Sequence, residues 1–404
     1  MKILVLNAGS SSQKSSLYEL PKTASPLTPL QPLWSAHIDW TVIAEGGELT
    51  VKTPEHKLKT HLNTNNRQTA IAQMLDTLVE GETKVIDNLP EINLVGHRVV
   101  HGGTDYSEAT IITPAVKEAI ARLSLLAPNH NPANLEGIEI IEQLLPNIPQ
   151  VAVFDTAFHS QLPLKNAVYP IPYQWFTKGI RRYGFHGISH QYCSQRTAQI
   201  LNKPLESLKI ITCHLGNGCS LAAIKDGISI DTTMGFTPLE GLMMGTRSGS
   251  IDPAILIHLI REYDFNATQL DTLLNKESGL KGISGLSADL RSILAAITEG
   301  NQQAELAFEM YIDRLKKAIG AMLVSLGGLD VLVFTAGVGE NSVLVREKTC
   351  AGLEFLGLKL DLVKNADSPL DRDIATPASK IKVMVIHTEE DWAIAYSSVD
   401  KIQQ

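Results

Sequence analysis

The sequence predicts an α/β fold with largely parallel strands, built as two related halves, and three observations predict it. Short β-branched runs bounded by Gly, Asn and Asp alternate with helical patterns along the chain, the rhythm of βα units. Hydrophobic residues fill 44% of the 404 positions but aromatic ones only 5%, so the apolar mass is aliphatic, as sheets covered by helices require. The third is an internal echo. KILVLNAGSSS from Lys2 and KIITCHLGNGCS from Lys209 match at an offset of 207 residues, each reading as a strand, a small-residue hairpin and a second strand.

Strands are expected at 2–6, 92–100, 151–155, 209–214, 331–335 and 381–387. Thr113-Pro114 opens a helix that stops before Pro128. Asn131-Pro132 and Asp252-Pro253 open two more, each pairing a side-chain acceptor at the N-cap with a proline whose missing N–H costs nothing at the first helical position. A further helix is expected from near Ser189, and Thr388 with Asp391 resembles a capping box ahead of a terminal helix. The segment 21–32 (PKTASPLTPLQP) reads as a loop. Length alone favours two or three domains.

Composition excludes several classes of function. Thirty-five Lys and Arg against 43 Asp and Glu give a net charge of -8, which argues against a nucleic-acid coat or an anionic membrane surface as partner. Cys193, Cys213, Cys219 and Cys350 show no CxxC spacing, so neither a zinc site nor a disulfide framework is indicated and a reduced, cytosolic compartment is expected. The first apolar run breaks at Asn7, unlike a signal peptide, and the stretch from Ala318 to Val338 is cut by Gly320, Gly327, Gly328 and Asp330. GxSxG, HExxH, the Rossmann GxGxxG, a C₂H₂ spacing and Walker A are all absent.

Three glycine-containing elements could cradle an anion. VLNAGSSSQK, from Val5 to Lys14, offers small residues for close backbone approach, hydroxyl donors and the point charge of Lys14, although a tight polar hairpin has the same composition. HLGNG, from His214 to Gly218, is similar without a lysine, and TAGVGENS, from Thr335 to Ser342, passes from a strand into a helix N-terminus. Cationic groups sit in comparable contexts. Alternation puts Arg98 and Val100 on one strand face and His97 and Val99 on the other. His130 precedes the Asn131 cap, His186 stands ahead of a helix, and Arg247 lies in the Gly-rich GTRSGSIDP. Each also has a plain role, a His bonding a carbonyl or an Arg pairing a carboxylate. Asp155 ends a strand where open α/β sheets place ligands. Glu390 opens the terminal helix and is either a capping acid or an oxygen ligand for Mg²⁺.

These motifs, with GHRVVHGG, HNPAN, VFDTAFH, YGFHGISH and DTTMGFTPLEGLMMGTRSGSIDP between them, keep an order and spacing that resembles the acetate kinase family along nearly the whole chain. The resemblance implies a duplicated two-domain actin-like (ribonuclease H-like) fold with an active-site cleft between the domains. Its lobes would be 1–155 plus 389–404, and a nucleotide-binding lobe of 156–388. It implies reversible in-line transfer of the ATP γ-phosphoryl group to acetate, giving acetyl phosphate and ADP, with Mg²⁺ or Mn²⁺, in a cytoplasmic homodimer with no nucleic-acid or membrane partner. By the same resemblance Asn7 and Glu390 take the metal positions, and Lys14, Ser10 and Ser12 contact phosphate. His214, Leu215, Gly216, Asn217 and Gly218, then Asp289, Leu290 and Arg291, then Gly337, Val338, Gly339, Glu340 and Asn341 line the nucleotide. Arg98 holds the substrate carboxylate, Arg247 and His186 brace the transferring phosphoryl with His130 nearby, Asp155 is the acidic active-site residue, and Val100, Phe185 and Pro238 surround the methyl group.

A carboxylate attacking a triphosphate brings like charges together, so cations in a water-poor site are what that encounter requires. Three positions depart from the family pattern. Asn129 stands where Leu is usual in the methyl pocket, HTEED replaces a PTNEE-like sequence beside Glu390, and Leu290 occupies a variable position. Propionate kinase is the near alternative, since one methylene in an apolar pocket discriminates by only about 1–3 kcal/mol. An actin-like ATPase switch would share the hairpins but give no reason for Arg98, His130, His186 and Arg247.

Overall fold

A computed structural model describes residues 1–9, 12–21, 28–41, 46–367 and 370–404, and the β-branched runs among them fold as strands. The residues form two units, Met1–Phe158 with Glu389–Gln404, and His159–Thr388. The first unit contains β1 (Lys2–Ala8), β2 (Ser12–Glu19), β3 (Trp34–Asp39), β4 (Gly47–Lys52), β5 (Lys57–Leu62), β6 (Ile92–Val99), β7 (Thr110–Ile111) and β8 (Gln150–Phe154). They make one sheet in the order β5-β4-β3-β2-β1-β6-β8-β7. Alternation along β6 sorts what covers each face. Val95 packs with Ile71, Met74, Ile140 and Ile141, and Val99 with Ile120 and Ile138, so the helices Arg67–Val79, Pro114–Leu123 and Asn131–Leu144 lie on that side. Gly96 faces the other way. A Cβ there would stand 2.5 Å from Ser398 Oγ and 3.0 Å from Ile394 Cγ2, so only glycine lets the helix Glu390–Gln403 lie this close.

The second unit contains β9 (Ile210–Leu215), β10 (Cys219–Lys225), β11 (Ile228–Thr232), β12 (Val331–Thr335), β13 (Arg372–Asp373) and β14 (Lys382–Val385), in the order β11-β10-β9-β12-β14-β13. This repeats β3-β2-β1-β6-β8-β7 strand for strand. Both series run antiparallel, antiparallel, parallel, parallel, antiparallel. The hairpin echo is thus the local trace of a whole repeated sheet, and the fold is the two-domain actin-like one. The first unit adds β4 and β5 beyond the repeat. In the second, the helix Gln302–Leu326 is capped by Asn301, buries Ala304, Ala307, Phe308, Tyr311, Leu315, Ile319 and Met322 at helical spacing, and ends at Gly327 in the left-handed region.

One expected helix start forms as read, Thr113 accepting from Val116 N–H ahead of Pro114. At the other, Asp252 accepts from Ala254 N–H, but Pro253 and not Asp252 takes the N-cap position of the helix Ala254–Tyr263. Asn131 does not cap. His130 takes that position, and the Asn131 amide instead accepts from His101 N–H and donates to His101 O, because the buried backbone at 101 needs both partners. The box around Thr388 and Asp391 is also absent. Asp391 accepts from Ser16 Oγ, and Thr388 donates to Ser189 Oγ. The strand expected over 381–387 stops at Val385, since His387 and Thr388 turn to bond Glu340. Of the expected loop 21–32, residues 22–27 lie outside the described residues. No described helix is long and apolar enough to cross a membrane.

Candidate functional site

The parallel strands of the first unit deliver Asn7, Arg98 and Asp155 at their carboxyl ends, the side of such sheets where ligands bind. Arg98 Nε stands 3.1 Å from both Asp155 carboxylate oxygens and Nη2 donates to Oδ2 at 2.5 Å, while Nη1 donates to Asn7 Oδ1 at 3.0 Å. Asp155 is 1% exposed, so this charge-assisted fork compensates a buried carboxylate. Burial works against the Arg98 charge, but the fields of Asp155 and Glu390 outweigh it and hold the guanidinium above its ordinary pKa. Lys14 is exposed and lies directly across the hairpin from Asn7. The turn between them is closed by Gly9 N–H donating to Ser12 O at 2.8 Å; Ser10 lies outside the described residues.

Asn134 ties two of these strand ends together. Its Oδ1 accepts from Val100 N–H at 3.1 Å and its Nδ2 donates to Ala8 O at 2.7 Å. Val100 therefore sits one residue past β6 with its side chain buried, and the turn before the Asn131 helix leaves Asn129 exposed and His130 half-buried. Among the described residues no group of three or more His, Cys, Asp and Glu is placed to hold a metal ion. Asn7 and Glu390 offer oxygen only. That suits a hard ion such as Mg²⁺, which takes one or two carboxylates and completes its shell with waters and substrate phosphates.

In the second unit β9 carries His214 as its penultimate residue, ends at Leu215 and turns through Gly216–Gly218, closed by Gly216 N–H donating to Gly218 O at 3.0 Å. The His186 ring stacks on His214 with centroids 4.1 Å apart. A Cβ on Gly218 would stand 3.4 Å from Arg247 Nη1 and 3.6 Å from His186 Nε2, so a guanidinium and an imidazole edge converge on one glycine. Gly245 N–H donates to Asn217 O at 3.1 Å and pins the Arg247 loop to the hairpin. Arg247 Nη1 donates to Pro238 O at 3.1 Å, and among the described residues no carboxylate pairs with Arg247. Burial pushes its pKa down. Where Arg98 is neutralised, Arg247 keeps its charge.

Behind His186 lies a chain of polar groups. His186 Nδ1 and His190 Nε2 each stand 2.8 Å from Ser220 Oγ, and His190 Nδ1 is 2.6 Å from Thr212 Oγ1. His190 is fully buried, which drives its pKa well down and keeps it neutral. His186 itself is held at φ +58°, and Ala336 beyond β12 at φ +63°, a region that alanine rarely enters. A Cβ on Gly216 would stand 4.0 Å from Ala336 Cβ, and Ala336 opens the short helix Ala336–Asn341.

The remaining expected nucleotide residues are placed unequally. Gly337 borders open space, Val338 is half-buried and Asn341 is exposed with its amide on Gly337 O. The Glu340 side chain turns inward, accepting from Ala336 N–H and Thr388 N–H at 2.9 Å each and meeting His387 Nδ1 at 2.6 Å. It braces the turn, and buried Arg346 grips the carbonyls of Gly339 and Glu340 from below. Asp289 caps the helix Leu290–Thr298 and pairs with the solvent-facing Arg291, while the Leu290 side chain is buried. Leu215 and Phe185 are buried too, and Phe185 O meets His159 Nε2 at 3.1 Å. Sequence reasoning missed Asn134, Arg346, His387 and the Ser220–His190–Thr212 chain. Of these only His190, four residues after His186, carried a local signal.

A sequence model described as the Acetokinase family matches residues 2–396. The acetate kinase of Rippkaea orientalis (strain PCC 8801 / RF-1) is 68% identical over 395 residues, covering 98% of each chain. Among solved structures, Porphyromonas gingivalis acetate kinase superposes with a TM-score of 0.90 at 42% identity, covering 99% of both chains. A propionate kinase from Francisella tularensis subsp. tularensis SCHU S4 does so with a TM-score of 0.90 at 40% identity, again covering 99% of both.

Proposed function

Since the chain belongs to the acetokinase family, we propose that it transfers the γ-phosphoryl group of ATP to acetate, reversibly and in line, giving acetyl phosphate and ADP. The observation that carries this reading is the uncompensated guanidinium of Arg247, held with the His186 Nε2 edge against Gly218. A cation with no carboxylate partner among the described residues, beside an imidazole nitrogen and a glycine hairpin, is suited to the equatorial oxygens of a transferring phosphoryl group.

The two units divide the work. In the second, the backbone of His214–Gly218 and of Gly337–Asn341 takes the nucleotide phosphates, with Glu340 and Arg346 holding the second segment rigid. In the first, Arg98 takes the acetate carboxylate. Asp155 already satisfies its Nε side, so the guanidinium presents donors in a fixed plane and little net charge. Acetate is ionised at neutral pH and needs no base, so Asp155 serves by holding Arg98. Mg²⁺, when bound, neutralises charge on the β- and γ-phosphates; Asn7 and Glu390 would hold it and Lys14 would add a second positive charge. Val100 in the first unit, and Phe185 and Pro238 in the second, are the family positions for the acetate methyl group, and His130 is a further active-site position. The working state is a cytoplasmic homodimer.

Propionate is the second reading, favoured by the equal TM-score of the propionate kinase and by Asn129 in place of Leu. One assay addresses both. Protein is incubated with MgATP and formate, acetate, propionate or butyrate, and acyl phosphate is trapped with hydroxylamine. Hydroxamate is expected with acetate in excess over the others. More from propionate would reassign the acid, and ATP turnover without hydroxamate from any acid would leave only a nucleotide switch.

A further inference from the structure

His186 meets Ser220, Ser220 meets His190, and His190 meets Thr212, at 2.8, 2.8 and 2.6 Å. Were both imidazoles to donate to Ser220, its fully buried hydroxyl proton would have no acceptor in the chain, so the protons can run head to tail in two orders. In the first, the Thr212 hydroxyl donates to His190 Nδ1, His190 Nε2–H donates to Ser220 Oγ, and the Ser220 hydroxyl donates to His186 Nδ1. In the reverse order His186 Nδ1–H donates to Ser220, Ser220 donates to His190 Nε2, and His190 Nδ1–H donates to Thr212. The reverse order strands the Thr212 hydroxyl proton. Thr212 is fully buried in β9, and no other acceptor for that proton is present among the described residues. A buried donor without an acceptor is the costlier fault, whereas a spare hydroxyl lone pair is cheap, so the first order prevails.

We infer that Ser220, set by His190 and Thr212, is a positioning residue that fixes neutral His186 as the Nε2–H tautomer. The ring nitrogen that carries this proton is the one facing Gly218 and Arg247. His186 therefore presents a hydrogen-bond donor, not a lone pair, on the side where Arg247 keeps its charge. The use of that donor for a phosphoryl oxygen rests on the kinase reading above; the tautomer does not. Burial keeps His190 uncharged, so its single ring proton can transmit the order.

Long-range ¹H–¹⁵N correlation of the histidine side chains in the full chain reads the tautomer directly, with His186 assigned by its loss in His186→Asn. The wild type is expected to show His186 protonated at Nε2 and bare at Nδ1. Ser220→Ala is expected to mix the tautomers and lower kcat by about 10–100-fold, with KM for MgATP changed less than about threefold, as for loss of a group that orients a histidine. Ser220→Thr, which keeps the hydroxyl, is expected to restore both. Thr212→Val acts from the far end and is expected to move the tautomer the same way without touching Ser220. A wild-type His186 protonated at Nδ1 overturns the inference, as does Ser220→Ala with an unchanged tautomer. A wild type that forms no acyl phosphate but shows the Nε2–H signature overturns the kinase reading alone.

Discussion

Two arginines on the candidate site sit in opposite electrostatic circumstances, and substitution should separate them. Removing Arg98 takes the guanidinium fork away from the Asp155 carboxylate at 1% exposure, and breaking a buried ion pair by deleting one partner costs about 3–5 kcal/mol. Among the described residues Arg247 has no carboxylate to strand, so Arg247→Ala is expected to keep stability within about 1 kcal/mol of wild type. Its effect should fall on rate, a loss of about 10³-fold or more, as for an arginine that braces a phosphoryl group. Urea unfolding with the hydroxamate rate on each variant checks this, and equal destabilisation by both would mean that Arg247 is also paired. The sequence made these residues visible as types, an Arg on a strand and an Arg in a Gly-rich loop. It could not show which one is neutralised, because the partner of Arg98 lies 57 positions away. The bracing role of the Glu340 side chain was hidden for the same reason, since its bonds to His387 and Thr388 span 47 and 48 positions.

Elements followed the sequence where their determinants were local. Both glycine hairpins formed because strand, turn residues and return strand are neighbours in the chain, and Thr113 capped because its target is the next turn of chain. Asn131 has the same capping chemistry but spends it on His101, 30 residues earlier, where a buried backbone offered better use. The docking of the terminal helix on β6 was not legible either, although it hangs on one glycine. Gly96→Ala would drive a methyl to 2.5 Å from Ser398 Oγ and is expected to cost about 1–3 kcal/mol, the usual range for overpacking. Ser398→Ala in the same chain removes the nearest atom and should recover part of the loss, while Ile394 Cγ2 at 3.0 Å keeps the recovery incomplete. Full stability of Gly96→Ala alone would show that the helix can shift away from the strand freely.

Across the whole molecule the repeated sheet brings a repeated liability, since each unit buries neutral imidazoles. Burial pushes His97 and His101 in the first unit, and His159 in the second, down to about 4. In the unfolded chain these side chains titrate near 6.5. Above that pH neither state binds the proton and the histidines have no pH-dependent effect. Between about 6.5 and 4 the unfolded state takes up protons that the native state refuses, so stability falls with pH, by up to about 3 kcal/mol for each histidine. Below about 4 both states are protonated and these groups add no further slope. Both units should therefore weaken over the same acid range. The proton uptake on unfolding, measured calorimetrically near pH 5 in two buffers of different ionisation enthalpy, tests this without assuming that the units unfold together. His97→Gln keeps an amide within reach of Gln150 and should lower the uptake by about one proton, and His159→Gln should do the same from the other unit. An uptake unchanged in both variants would mean that these imidazoles are already charged in the native protein, against their burial.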